Sequence, residues 1–193
     1  MVTVALTMDG GAAELSGLLR LAKAGDLAAF EQIVLLHQRQ VYRTARRLLA
    51  NHEDAQDAAQ EVLLRLHKHL RRFDEVRALS PWLYRVTVNV CRDVGRHRRH
   101  HTGPPPDADG TPFRGPDPHV QASLAEQRRL VGAALARLPE KERAAVVLRD
   151  IEGLPTSEVA RILGKTEVTV RSQLSNGRRR LKTLIERFLR GQS

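Results

Sequence analysis

The chain has 193 residues, of which 41% are hydrophobic but only 4% aromatic, so one or two small domains with cores of Leu, Val, Ile and Ala are expected. Lys and Arg outnumber Asp and Glu by 32 to 22, a formal charge of +10 that suits a polyanionic partner. The single cysteine excludes an internal disulfide and any Cys-x-x-Cys zinc site, and no apolar run is long enough to cross a bilayer.

Residues 1–11 read as a loose, disordered end; "MVTVAL" is too short, and lacks the basic flank, for a signal peptide. With the lone cysteine this points to a reducing, cytoplasmic setting. A first helical lobe is expected over 12–99. Its helices are 12–24, closed by Gly25; one capped by Asp26 and running to about Leu36, with Leu27, Phe30, Ile33 and Val34 inward; and one carrying Val41, Ala45, Leu48 and Leu49 and stopping near Asn51. A helix from about Glu53 to Leu70 follows, with Ala55, Ala59, Val62 and Leu66 in helical phase. The last opens at "SPW", with Ser80 as cap and Pro81 in the first turn, and runs to about Arg98. Residues 100–121 hold most of the prolines and few apolar side chains, the composition of a flexible linker. The second lobe, 122–190, offers a helix from about Ser123 to Arg137, one opened by Pro139, and then "EGLPTSEVARILGKTEVTVRSQLSNGRRRL". No β-alternation of useful length appears, so the fold class is all-α.

In that last stretch Val159, Ala160, Leu163, Gly164, Val170 and Leu174 frame a helix-turn-helix. Ala160 allows a close crossing, Gly164 the positive φ of the turn, and the Thr166 hydroxyl can cap the second helix. The exposed side of that helix carries Thr169, Arg171, Ser172, Gln173, Ser175 and Asn176, side-chain types that read base edges in the major groove. Arg178 and Arg179 in "GRRRLK" suit phosphate contacts. Asn176-Gly177 is a helix-stop signal, but Leu174, Leu181, Leu184 and Ile185 stay in phase across it and predict one continuous helix.

Two features of the first lobe are unusual for an operator binder. "EDAQDAAQEVLLRL" gathers Glu53, Asp54, Asp57 and Glu61 on one helix, with Asp57, Gln60 and Glu61 close together. Dipole complementation explains the first two and not Glu61; an acidic face on a basic chain is expected to meet a basic protein surface. "PWLYRVTVNVCRDVGRHRR" combines an apolar stripe, Leu83, Val86, Val90 and Val94, with a polar one, Arg85, Asn89, Arg92 and Arg96. Near Trp82 and Tyr84, that polar stripe can combine phosphate contacts with contacts to exposed bases. Trp82 has a competing role as a core anchor.

Together "DAAQEVLLRL", "WLYRVTVNV", "LPEKERAAVVLRDIEGL" and "SEVARILGKTEVTVRSQLSNGRRRL" resemble the extracytoplasmic-function sigma factors of bacterial RNA polymerase, over roughly 20–98 and 122–187. The resemblance implies sigma domain two, a linker and sigma domain four. It implies that Asp57, Gln60 and Glu61 dock on the clamp helices of the largest polymerase subunit, with the flap of the second-largest subunit and promoter DNA as further partners. It implies that the Trp82–Arg96 helix and the loop Asp74 to Pro81 melt and read the minus-ten element, and that the helix around Arg171 reads the minus-thirty-five element. An anti-sigma factor is the implied regulator. Leu63 and His67 depart from the aromatics frequent in the family, and Gln173, Ser175 and Asn176 from its basic or aromatic residues. Pro155 replaces a common capping Ser, with Thr156 the next possible cap.

No catalytic constellation, cofactor loop or small-molecule pocket motif is apparent, so no enzyme activity, cofactor or small substrate is expected. His97, His100 and His101 lack the ligand spacing of a metal site, and Cys91 is expected to be a buried small residue. A dimeric helix-turn-helix regulator shares the second lobe but leaves the acidic face and the arginine stripe unexplained. A nucleoid-type binder shares the charge but needs no melting helix.

Overall fold

The computed structural model describes residues 8–73, 79–101 and 118–190, and among these every regular element is helical. Helix α1 spans Met8–Lys23, so helix already begins inside the stretch expected to be loose. Helix α2, Leu27–Leu49, is one helix where the sequence suggested two. The polar run between Leu36 and Val41 contains neither Gly nor Pro, and Ala29, Ile33, His37, Val41, Thr44 and Ala45 form one unbroken buried stripe through it. Asp26 caps it, its Oδ1 accepting from the Ala29 amide at 3.1 Å. Leu27, expected inside, is 75% exposed, because it lies off that stripe. Helix α3, His52–His69, is capped by Asn51, whose Oδ1 accepts from Asp54 N at 3.1 Å, and a 3-10 turn, Leu70–Arg72, closes it. Helix α4 spans Leu79–His101, so it begins before Ser80, and its end takes in His100 and His101 from the expected linker.

The second lobe starts with α5, Pro118–Ala136, which claims the other end of the expected linker. The remainder of that linker, and positions 74–78 of the loop before α4, lie outside the described residues. Helix α6, Glu140–Val146, runs into a π-turn, Val147–Ile151. Helix α7, Thr156–Leu163, has Pro155 at its N-cap without a side-chain cap bond, so Thr156 is its first helical residue rather than its cap. Gly164 makes the turn at φ 63°, and α8, Glu167–Arg190, is one continuous helix. The Thr166 Oγ1 accepts from Thr169 N at 3.2 Å, the expected N-terminal bond.

Each lobe has its own core. The first is built by Leu19, Ile33, Val41, Val62, Leu66, Leu79, Leu83 and Val90 from α1–α4. The second is built by Leu135, Val147, Leu148, Val159, Leu163, Val170 and Leu174, and it also receives Tyr84 and Val88 from α4 of the first lobe. The lobes therefore share apolar material, and α4 has buried residues on two sides: Leu83 and Val90 toward its own lobe, Tyr84 and Val88 toward the other.

Candidate nucleic-acid interface

On α3, Ala55, Ala58, Ala59 and Val62 face the core, which turns Asp57 and Gln60 outward and leaves Glu61 half-buried. Glu61 Oε1 accepts from Arg65 Nε at 2.7 Å. One turn on, Leu64 is 54% exposed. Positions 57, 60, 61 and 64 share one helix face, so the acidic patch carries an apolar side chain at its end. Sequence reading missed Leu64 because a leucine in an amphipathic helix is ordinarily assigned to the core. His67 packs edge-on against Phe30, ring centroids 5.0 Å apart.

On α4, Arg85, Asn89 and Arg96 are exposed, as a strand-contacting stripe requires, whereas Arg92 is half-buried with Nε 3.5 Å from Glu140 Oε1 of the second lobe. Trp82 is half-buried, meeting Phe73 and His69 edge-to-face at 6.1 and 6.3 Å, so its indole serves at least as an anchor for the start of α4. Tyr84 corrects its expected place in a DNA-facing set. It is 6% exposed, and its hydroxyl donates to Glu152 Oε2 at 3.0 Å. Burial and then the Glu152 charge push its pKa up to about 12. Cys91 is buried, and burial pushes its thiol to about 12, so it holds no reactive thiolate.

On α8, Val170 and Leu174 lie in the core, which presents Arg171, Ser172 and Ser175 outward, with Thr169, Gln173 and Asn176 at the edges. Arg171 is tethered one turn back to Glu167 Oε2 at 2.8 Å, an exposed pair that a phosphate or guanine can readily replace. Arg179 donates to Asn176 Oδ1 at 3.0 Å on the same outward side. Arg178, expected as a phosphate contact, is exposed and also has a partner within the lobe. It makes a two-pronged pair with Asp150 of the π-turn, at 2.9 and 2.6 Å, which also raises its pKa. Arg180 pairs with Glu142 of α6 at 3.2 Å. Arg178 and Arg180 thus brace α8 against the lobe, and Arg179 is left toward solvent.

A further set of polar residues joins the lobes, and no motif announced it. The π-turn donates Glu152 N to Val147 O at 2.9 Å, one residue wider than an α-turn, and places the Glu152 carboxylate at the seam. There Glu152 Oε1 accepts from Thr44 Oγ1 at 3.1 Å and Arg47 Nη1 at 2.5 Å, and Oε2 from Tyr84. Arg143 of α6 donates to the Leu48 carbonyl in the last turn of α2 at 2.5 Å and to the Ala136 and Leu138 carbonyls closing α5. A cation among helix-terminal carbonyls also meets their dipoles favourably. The only sequence hints were a Thr on a buried stripe and a Val, Val88, off the main apolar face of α4.

The comparisons with known proteins follow this division. The family model "Sigma-70 region 2" matches residues 33–101, and "Sigma-70, region 4" matches 128–181. The "ECF RNA polymerase sigma factor SigM" of Mycobacterium tuberculosis is 39% identical over 163 residues, covering 84% of this chain and 80% of that protein. The chain belongs to the extracytoplasmic-function sigma factors of bacterial RNA polymerase. SigW of Bacillus subtilis is a more distant relative of this sigma factor, 29% identical over 169 residues, covering 83% of this chain and 90% of its own. Among solved structures, CnrH in complex with the cytosolic domain of CnrY superposes with a TM-score of 0.66 at 25% identity, covering 90% of this chain and 97% of that one. The fold is also that of the sigma factor RpoE of Bartonella quintana, solved with the anti-sigma factor NepR, at a TM-score of 0.65 and 24% identity over 81% of this chain and 96% of that one. As a sigma factor, the chain directs core polymerase to promoters and initiates transcription. Among the described residues no helix is long and apolar enough to cross a membrane.

Proposed function

We propose that the two lobes divide promoter recognition, with Asp57, Gln60, Glu61 and Leu64 docking lobe one on the polymerase clamp helices. The observation that carries this is the coexistence, on one strongly basic chain, of an outward acidic face on α3 and an outward base-reading face on α8. Acid near DNA repels, so the α3 face belongs against basic protein, and α8 belongs against the duplex. Arg85, Asn89 and Arg96 contact the separated minus-ten strand. Arg171, Ser172 and Ser175, with Thr169, Gln173, Asn176 and Arg179 beside them, read the minus-thirty-five element, while lobe two sits near the flap. The factor works in the cytoplasm, is not an enzyme, and is held by an anti-sigma factor until it is needed. An operator-binding dimer would leave the α3 face without a partner.

The test is reconstitution. The purified chain added to core polymerase should start transcripts at one defined position on a cognate promoter, and Asp57→Arg should abolish this while preserving the melting temperature. Transcripts that start at random with the wild-type chain would refute the proposal.

A further inference from the structure

We propose that Val168 reads the C5-methyl group of a thymine in the minus-thirty-five element. The inference rests on the assignment of α8 to that element made above, and adds to it an apolar contact that fixes one base. Val168 is 72% exposed, and among the described residues it is the one exposed large hydrophobic side chain of α8 before Leu189. A lone exposed valine elsewhere on a surface would need no explanation, but this one has a telling position. Residues three, four and seven apart share a helix face, so Val168 stands with Arg171, Ser172 and Ser175, all outward. The opposite face carries Val170 and Leu174 into the core. Val168 also lies in the first turn of α8, and the first residues of a recognition helix are those that meet base edges. So exposed a side chain adds little to the core, and a β-branched residue adds little to a helix, so the fold gives no reason for a valine here.

The chemistry of the groove selects the base. The major-groove edges of adenine, guanine and cytosine present only donors and acceptors, and thymine alone adds a methyl group. Valine carries neither donor nor acceptor. Against a purely polar edge it would displace water and return no hydrogen bond. Against thymine it buries methyl on methyl, which is favourable. Its neighbour Thr169 has its hydroxyl 2.9 Å from that of Thr166, so the first turn of α8 offers the groove methyl surface beside an engaged hydroxyl pair. Arg171, one turn on, suits a guanine edge. The two residues then fix two different bases of one element, one by an apolar contact and one by a charged donor.

The experiment uses the full chain assembled with core polymerase, on a promoter selected from a pool in which both elements are randomised. Each thymine of the upstream element, on either strand, is replaced in turn by uracil, which pairs identically and lacks only the C5-methyl. Wild-type holoenzyme should lose about fourfold in affinity at one such position, the worth of one buried methyl group. Val168→Ser should bind the thymine and uracil duplexes equally at that position. Val168→Ile keeps the apolar surface and should retain the preference. Both substitutions fall on an exposed position, so the melting temperature should hold. Indifference of the wild type to every uracil would overturn the proposal, as would selection of an upstream element without thymine on either strand. So would a uracil penalty that persists in Val168→Ser, because the methyl would then be read by another group or through duplex shape. Weaker assembly of Val168→Ser with core polymerase, with the thymine preference intact, would make the valine a protein contact instead. The assignment of α8 is read separately on the same promoters: if Arg171→Ala and wild type discriminate every upstream base alike, that assignment falls.

Discussion

A β-carbon placed on Gly177 would stand 2.8 Å from Cγ2 of Val146 and 3.4 Å from the backbone oxygen of Glu142. Gly177 therefore lies at a close approach of α8 to α6, and its place in mid-helix has a packing cause. Val146 is buried and β-branched, so it has little room to turn away. Gly177→Ala should gain about 1 kcal/mol of helix propensity and lose about 1–3 kcal/mol to overpacking. A net fall in melting temperature of about 2–4 °C per kcal/mol is expected for a chain of this size. Ser175→Ala, exposed on the same helix, should be neutral or slightly stabilising in the same scan. A melting temperature for Gly177→Ala above that of wild type, by the full propensity gain of about 1 kcal/mol, would show that the helices can part at no cost.

Charge reversal at Asp57 or Glu61 should weaken core polymerase binding by a few kcal/mol, on the order of a hundredfold. Glu61→Arg also loses the Arg65 pair, an exposed i,i+4 contact worth only about 0.3–0.5 kcal/mol, so its fold should survive. Leu64→Ser removes an exposed apolar side chain from the same face and should weaken docking by about 1–2 kcal/mol without lowering stability. Titration of labelled core with each variant, beside thermal scans, checks both halves. Undiminished core binding by all three variants would remove α3 as the docking face.

The helices, the helix-turn-helix frame and the acidic face were legible because each depends on residues near one another in the chain. Val159, Leu163, Val170 and Leu174 enter one core, and Gly164 adopts the positive φ its position suggested. What escaped depends on distant partners. Gly177 reads as a liability until Val146 is brought against it. The pairing of Arg178 with Asp150 is invisible in the sequence because the two lie 28 residues apart. Tyr84 reads as a base-stacking aromatic until lobe two closes over it, because α4 uses two buried faces and periodicity resolves only one. The split of α2 failed for a simpler reason: the polar residues between Leu36 and Val41 interrupt the apolar pattern, although His37 among them lies on the buried stripe.

His37 gives the fold a dependence on acid. Burial pushes its imidazole below the ordinary pKa of 6.5, so the neutral form is favoured in the folded chain. The sign follows: this stability is present above the unfolded value and is lost as pH falls through the lower folded value. Denaturant midpoints should therefore drop as pH falls below the ordinary value of 6.5, and His37→Leu should flatten that slope. An unchanged slope in the variant would assign the acid dependence to other groups.

Three residues should fail in three different ways if the surfaces are assigned correctly. Arg171 is outward on α8 and only loosely held by Glu167, so its guanidinium is free to exchange that partner for a guanine edge. Arg171→Ala should cost about 1–3 kcal/mol at a cognate duplex and relax preference at one base pair. Arg178 is braced on Asp150, and its removal takes away a mostly exposed ion pair. Arg178→Ala should lower stability by no more than about 1 kcal/mol and leave base preference unchanged. Asn89 is exposed on α4 between Arg85 and Arg92. Asn89→Ala should spare the closed complex and impair strand separation, because an amide facing an unpaired base has nothing to bind while the duplex is intact. Duplex affinity across single-base variants, thermal scans and permanganate reactivity of unpaired thymines separate the three. Relaxed specificity from Arg178→Ala would return that residue to the DNA surface, and normal promoter opening by Asn89→Ala would take the melting role away from the polar stripe of α4.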